Sequence, residues 1–237
     1  MKKKILSMCL VVALLAIAIV GGTLAYFTDD DSDVNVMTTG NVSIIQNETF
    51  DAENAKLIPS VEDADGNPTN NVIDKVVTVT NDGSEDAYIR TFILCEANQD
   101  AETGNVSTDF VWFDTNTEDY SGYALSDEEG NLVYAVVDGV PYEVWMFVYD
   151  TKLDAGATSA ASLEKVWLDA ATTQEDMELV MGEDDEYTVI VFSQAVQVAG
   201  FETADAAFEA AYVPYDEIDA ADIVDWVKEA NAKTQGY

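Results

Sequence analysis

The sequence predicts an all-β protein: an antiparallel β-sandwich of jelly-roll type with short peripheral helices and a C-terminal helix, preceded by a signal-peptide helix. Short segments rich in β-branched and aromatic residues recur along the chain, and residues typical of turns separate them. The length of 237 residues and the hydrophobic fraction of 48% are sufficient for a sizeable core. We therefore divide the chain into a signal peptide (residues 1–25), an N-terminal arm (26–40), a β-sandwich domain (41–200) and a C-terminal helical segment (201–237).

The N-terminus has the pattern of an export signal. Three lysines, Lys2–Lys4, precede an apolar run that ends at Val20, and small residues lead up to Ala25. We predict cleavage between Ala25 and Tyr26, and hence a secreted protein of the extracellular matrix or cell surface. The alternative is an uncleaved anchor, so contact with the membrane is expected only through this segment.

The first strands are predicted over residues 41–48, 73–80 and 87–97. The turn at residues 81–84 favours a β-hairpin between the second and third of them. Both faces of the segment 87–97 are largely apolar, which predicts a central strand that is covered on both sides. Further strands are predicted over residues 110–114, 132–137, 142–151, 162–168 and 187–198, and short helices over 172–181 and 203–212.

The last predicted element is an amphipathic helix over residues 216–233. Its apolar residues fall on one stripe, which predicts packing against the sandwich: Ile218, Ile223, Trp226, Val227 and Ala230. Acidic residues at its start and lysines near its end complement the helix dipole.

Several single residues have a structural and a functional interpretation. Cys95 shares a strand face with Ile89 and Ile93, so a buried, inert thiol is favoured over a nucleophile. Arg90, the only arginine, is interpreted as an ion-paired or solvent-reaching structural residue, with subunit contact as the alternative. The four tryptophans are assigned to the core, with carbohydrate stacking as the alternative for one of them: Trp112, Trp145, Trp167 and Trp226.

The charge of the chain limits its partners and its chemistry. Ten basic against 46 acidic residues give a net charge of −36, which repels nucleic acid and anionic headgroups. The absence of histidine removes Ser-His-Asp triads and His-ligated metal sites. With no nucleophile–base constellation, we expect neither an enzyme nor a cofactor.

Acidic runs raise the question of Ca²⁺ binding. The candidate ligands are Asp63, Asp65 and Asn67, since Ca²⁺ prefers oxygen ligands. Their spacing does not fit an EF-hand loop, because the sixth position from Asp63 is Pro68 rather than glycine. Solvated surface charge is therefore the default interpretation, and no other metal ligands are expected.

Two sequence blocks near the N-terminus carry a family resemblance. The stretch Gly21–Asp29 (GGTLAYFTD) followed by Asn35–Val42 (NVMTTGNV) resembles the TasA and camelysin-like exported proteins of biofilm matrices. Residues 77–90 (VTVTNDGSEDAYIR) and the closing strand with Ala195–Phe201 (AVQVAGF) are also similar to that family. The resemblance implies a SipW-type signal peptidase as partner and a jelly-roll subunit of extracellular fibres.

The arm freed by cleavage is the predicted assembly element. Val34 and Val36 alternate with polar residues, and the arm also offers apolar surface at Tyr26, Phe27 and Met37. Such a segment can add a strand to an open sheet edge of another subunit and build a homopolymer. Two alternatives stay open: the arm pairs with an edge of its own subunit, or the protein is a monomeric surface adhesin or ligand-binding module.

Overall fold

The computed structural model describes residues 28–31, 42–51, 55–99, 106–107, 111–126, 130–180 and 186–234. The twelve strands in this part of the chain are, in order, β1 (Thr28–Asp31), β2 (Ile44–Phe50), β3 (Val72–Asn81), β4 (Ala87–Glu96), β5 (Asn98–Gln99), β6 (Val106–Ser107), β7 (Val111–Asp114), β8 (Tyr120–Ala124), β9 (Tyr134–Val137), β10 (Val140–Tyr149), β11 (Leu163–Leu168) and β12 (Val189–Gln197). The helices are α1 (Gln174–Val180), α2 (Ala204–Ala211) and α3 (Ala220–Thr234), with a 3₁₀ turn at Tyr215–Glu217.

Two antiparallel sheets contain most of these strands. Sheet A has the order β1-β12-β4-β10-β8, and β9 also pairs with β10. Sheet B has the order β2-β3-β11-β7, while β5 and β6 form a separate two-residue ladder. The prediction of an all-β protein with short helices is confirmed, whereas the predicted signal-peptide helix lies outside the described residues.

Sheet A is buried on both faces, and this agrees with the apolar pattern of β4. Its inner face packs against sheet B through residues such as Ile93, Phe147 and, from sheet B, Val166. Its outer face packs under the C-terminal helices, where Phe92 contacts the Trp226 ring at a centroid distance of 5.5 Å. The predicted helix stripe is confirmed, since its five residues are all buried.

The predicted hairpin between β3 and β4 is wrong, because the two strands belong to different sheets. Residues 81–86 instead form a corner that is fixed by Asn81, whose side-chain nitrogen donates to the carbonyls of Glu85 and Leu153. The physical reason lies in the side-chain patterns. β4 needs cover on both faces, whereas β3 alternates buried and partly exposed residues and fits a sheet that is covered on one face.

The three helices begin at side-chain caps, as their sequences favour. Thr173 and Asp176 exchange hydrogen bonds in a capping box before α1. The Thr203 hydroxyl accepts from the Ala206 amide at the start of α2, and the Asp219 carboxylate accepts from the Ala221 and Asp222 amides at the start of α3.

Strand β8 was not predicted, because a glycine and polar residues weaken its pattern.

Candidate functional site

The N-terminal strand β1 and the strand that it covers form the candidate assembly site. β1 pairs antiparallel with β12, from Thr28 opposite Val196 to Asp31 opposite Ser193. β12 is nine residues long, so β1 covers only part of its free edge. Within this single chain, the described part of the arm thus pairs with an edge of its own subunit, as the first alternative to strand donation expects.

A buried polar network fixes this edge of β12 against sheet B. The Gln46 side-chain amide of β2 donates to the Val191 carbonyl at 3.0 Å, and its carbonyl oxygen accepts from the Ser193 hydroxyl at 2.8 Å. The Thr91 hydroxyl of β4 lies 2.9 Å from the Ser193 oxygen. Sequence reasoning missed this network, although polar residues at core positions of apolar strands were its signal.

The structure leaves most of the predicted arm residues undescribed. The cleavage residues Ala25 and Tyr26, and the arm residues Phe27, Val34, Val36 and Met37, lie outside the described residues. Within the arm, the paired segment is Thr28–Asp31, which ends in three aspartates and contains none of the apolar residues predicted to mediate assembly. Main-chain hydrogen bonds do not require apolar side chains, which explains how an acidic stretch forms an edge strand.

Arg90 is enclosed by aromatic rings next to this edge. Its side chain is only 2% exposed, and its Nε donates to Gln194 Oε1 of β12 at 2.7 Å. The guanidinium carbon lies 4.4–5.2 Å from four ring centroids, those of Phe92, Phe208, Tyr212 and Trp226. The prediction of a solvent-reaching arginine is therefore wrong, because the rings offer the cation a favourable buried environment.

Cys95 lies in the core between the two sheets. The side chain is 2% exposed and packs with residues such as Ile93 and Val166, which confirms the predicted face. Burial, and secondly the negative charge of Glu143, raise the pKa of the Cys95 thiol to about 12. The thiol is thus protonated at neutral pH and is a poor nucleophile.

The candidate Ca²⁺ ligands form a hairpin-like loop. Asp63 Oδ1 accepts hydrogen bonds from the backbone amides of Asp65 and Asn67, each at 2.9 Å, and these bonds lower the pKa of Asp63. Asn67 contributes the largest effect on this pKa. No group of three or more acidic, Cys or His residues in the described part of the chain is arranged to hold a metal ion. Ca²⁺ binding by Asp63, Asp65 and Asn67 stays a prediction.

A largely apolar groove of about 660 Å³ opens at one end of the two sheets, between the loop at 55–58 and the start of β12. Phe50 and Lys75 lie along it, and the Lys75 ammonium is 4.7 Å from the centroid of the Phe50 ring. Lys75 also forms a salt bridge with Glu48 of the neighbouring strand. This pairing explains how a lysine is buried there.

The four tryptophans do not share one environment. Trp226 is buried under α3, and the ring of Trp145 packs edge-on against Phe113 at 5.4 Å in the core. Trp112 is 52% exposed on β7, so the core assignment is wrong for this residue. Its side chain lies on the opposite face of this short edge strand from the buried Val111 and the partly buried Phe113.

Comparisons with family models, curated proteins and solved structures found no match. Among the described helices, none is long and apolar enough to cross a membrane.

Proposed function

We propose that the protein is a secreted structural subunit of extracellular biofilm-matrix fibres, which assembles by strand donation from its N-terminal arm. The observation that carries the proposal is the pairing of Thr28–Asp31 with β12. A terminal segment that completes a sheet edge by main-chain hydrogen bonds can be exchanged for the same segment of another copy. A jelly-roll connectivity of the strands belongs to the same proposal.

The position of the cleavage site supports exchange. Cleavage between Ala25 and Tyr26 by a SipW-type signal peptidase frees a terminus two residues before β1. An uncleaved signal peptide holds this terminus at the membrane and opposes its transfer to another subunit. Export and assembly are thereby coupled, and the membrane is involved only through the uncleaved precursor.

The acceptor edge is also prepared for a donated strand. Gln46, Ser193 and Thr91 hold β12 against its neighbours through buried side-chain hydrogen bonds that do not involve β1. The edge can therefore keep its shape while one arm leaves and another enters.

A monomeric adhesin is the second candidate, and it needs no exchange of the arm.

Electron microscopy of the mature protein tests the proposal. We expect fibres from the chain that begins at Tyr26, formed more readily with added salt or Ca²⁺, and none from a chain that lacks residues 26–38. The truncated chain should shorten the fibres of the intact chain when the two are mixed, because it can accept a strand but cannot donate one.

A matched control keeps the arm and changes only its charge. Replacement of Asp29, Asp30 and Asp31 by Asn preserves the main chain, so this variant should still form fibres. Normal fibres from the truncated chain alone would contradict strand donation. Discrete particles from the intact chain at every salt concentration would favour the adhesin.

A further inference from the structure

The outer face of sheet B has two rows of outward side chains on its neighbouring strands. In the first row, Trp167 of β11 lies directly opposite Trp112 of β7 on one side and Val72 of β3 on the other. Two residues along, Lys165 lies opposite both Asp114 and Asp74 in the second row. Alternate residues of a strand share a face, so we call these six residues the tryptophan face.

The indole of Trp112 is exposed and yet held in one orientation. Its ring nitrogen donates to Asp169 Oδ2 at 2.9 Å, while 52% of the residue surface is open to solvent. Trp167 beside it is half-buried. The two tryptophans are register partners on β7 and β11, so an exposed and a half-buried indole contribute apolar surface to the same face. Exposed apolar surface of this kind is typical of a binding site.

The loop at residues 66–71 forms one wall beside the tryptophan face. This loop and five residues of the face, all except Trp112, line a groove of about 570 Å³, a size typical of ligand sites. Trp112 lies next to the groove as the register partner of Trp167, which lines it. Asn70 Oδ1 accepts from the Val61 amide at 2.7 Å, and Asn71 Nδ2 donates to the Pro59 carbonyl at 2.9 Å. Together with the Asp63 bonds, these contacts hold the wall in place before a ligand arrives, which lowers the entropic cost of binding.

We propose that the tryptophan face binds a neutral polysaccharide chain. A pyranose ring presents C–H groups on one face and hydroxyls at its rim, so it can stack on an indole while its hydroxyls bond to polar neighbours. Carboxylates at Asp74 and Asp114 accept from such hydroxyls, and the Lys165 ammonium donates to them. All three charged residues are exposed, and each lies two residues along its strand from a member of the first row.

The charge of the molecule decides between ligand classes. A net charge of −36, with two carboxylates in the face itself, disfavours uronic-acid polymers, phosphates and anionic headgroups. A second copy of the chain would bring the same carboxylates and the same net charge onto the face. A neutral glycan meets no such repulsion and uses both the apolar row and the polar row.

This inference does not rest on fibre assembly. The face includes β7, which is at the opposite edge of sheet B from β2, the strand that contacts β12 through Gln46. A donated strand at β12 and a glycan on sheet B therefore use separate surfaces. If both are present, the protein can connect subunits to a matrix polysaccharide.

Native affinity electrophoresis of the purified protein tests the proposal with neutral glucans, galactans, mannans and N-acetylhexosamine polymers in the gel, and with a uronic-acid polymer for comparison. We expect at least one of them to retard the protein. Trp112→Ala should weaken the apparent Kd about tenfold or more, and Trp112→Phe should retain part of the affinity. Tyr123→Ala on β8 of sheet A is the matched control, since Tyr123 is similarly exposed at 46%. We expect this variant to bind the polysaccharide with the wild-type Kd.

Far-UV circular dichroism checks the fold of each variant. If Trp112→Ala is not folded, Asp114→Ala in the exposed second row replaces it, and we expect about threefold weaker binding. The proposal is overturned if no neutral polysaccharide retards the protein, if folded Trp112→Ala binds as wild type does, or if retardation occurs only with uronic-acid polymers. A dimer that is lost in Trp112→Ala would assign the face to self-association instead.

Discussion

Arg90 is a buried cation in a molecule with a net charge of −36, and its environment explains why it is tolerated there. Four aromatic rings surround the guanidinium, and three of these rings belong to the C-terminal helical segment: Phe208, Tyr212 and Trp226. A planar, weakly hydrated cation stacks on ring faces at a lower desolvation cost than an ammonium does. Arg90 thereby connects sheet A to α2 and α3.

We expect Arg90→Ala to lower the free energy of unfolding by about 3 kcal/mol, because it removes the ring contacts and the bond to Gln194 and leaves a cavity. The unfolding free energy of Arg90→Lys should lie between those of wild type and Arg90→Ala, since a strongly hydrated ammonium cannot stack on the ring faces as a planar guanidinium does. Urea unfolding measures both. Lys152→Ala is the control, because this lysine is exposed in its salt bridge with Asp86 and its loss should change little. Equal effects of the two alanine variants would contradict the role of the rings.

Cys95 gives a second prediction at the residue scale. With its thiol buried and its pKa raised to about 12, the residue should not react with thiol reagents at pH 8 in the native protein and should react fully in urea. Cys95→Ser should cost about 1–3 kcal/mol in unfolding free energy, because a hydroxyl replaces the thiol in an apolar site. Rapid labelling of the folded protein would show that the core between the sheets opens at this point.

At the scale of single elements, β8 shows how a strand forms against its own sequence pattern. Gly122 lies directly opposite Phe147 of β10, and the Phe147 ring covers the glycine. A Cβ at position 122 would lie 2.3 Å from a ring carbon of Phe147. The ring compensates for the missing side chain of the glycine, and β8 pairs over five residues although glycine weakens strands.

Gly122→Ala should therefore destabilise the protein by about 1–3 kcal/mol, because the Phe147 ring must move within a packed core. A double-mutant cycle with Phe147→Leu tests the cause. In that background the alanine should cost less, since the smaller side chain leaves room for a Cβ. The same cost in both backgrounds would mean that backbone conformation, not the ring, selects glycine.

The turns show how far the sequence predicts the fold. The dipeptide Asp138-Gly139 is typical of a two-residue hairpin turn, and both residues adopt positive φ, 52° and 92°, in the connection between β9 and β10. The similar signal at residues 81–84 leads instead to a corner between the two sheets. A turn sequence determines where the chain changes direction, but the burial that each flanking strand needs determines its partner.

The candidate sites were less predictable than the strands. The exposure of Trp112 and the environment of Arg90 depend on contacts between residues that are far apart in the chain. Parity along a short strand such as β7 could indicate that Trp112 and Asp114 share a face. That pattern could not indicate that α2 and α3 cover the outer face of sheet A rather than the outer face of sheet B, where Trp112 lies.

At the scale of the whole molecule, two electrostatic effects oppose each other as the pH falls. The net charge of −36 favours expansion through self-repulsion, and uptake of protons by acidic side chains relieves it as the pH approaches their ordinary pKa of about 4. Hydrogen bonds to particular carboxylates have the opposite effect on stability, because protonation at low pH removes their contribution to the fold. Bonds from Asn67, Lys152 and Thr173 lower the pKa values of Asp63, Asp86 and Asp176, respectively, so these bonds stabilise the charged form of each carboxylate in the folded protein.

We therefore expect the urea midpoint to rise from pH 7 to about pH 5 at low salt and to fall again below about pH 4. The rise follows from weaker repulsion. The fall follows because a carboxylate whose pKa is lower in the folded than in the unfolded state stabilises the fold above its unfolded pKa of 3.8, and loses this effect as the pH falls through the folded pKa. Salt at 0.5 M should flatten the rise, since it screens repulsion between exposed charges, but should leave most of the fall, because hydrogen-bonded contacts are short. A midpoint that decreases steadily from pH 7 at low salt would show that self-repulsion does not limit the stability of this molecule.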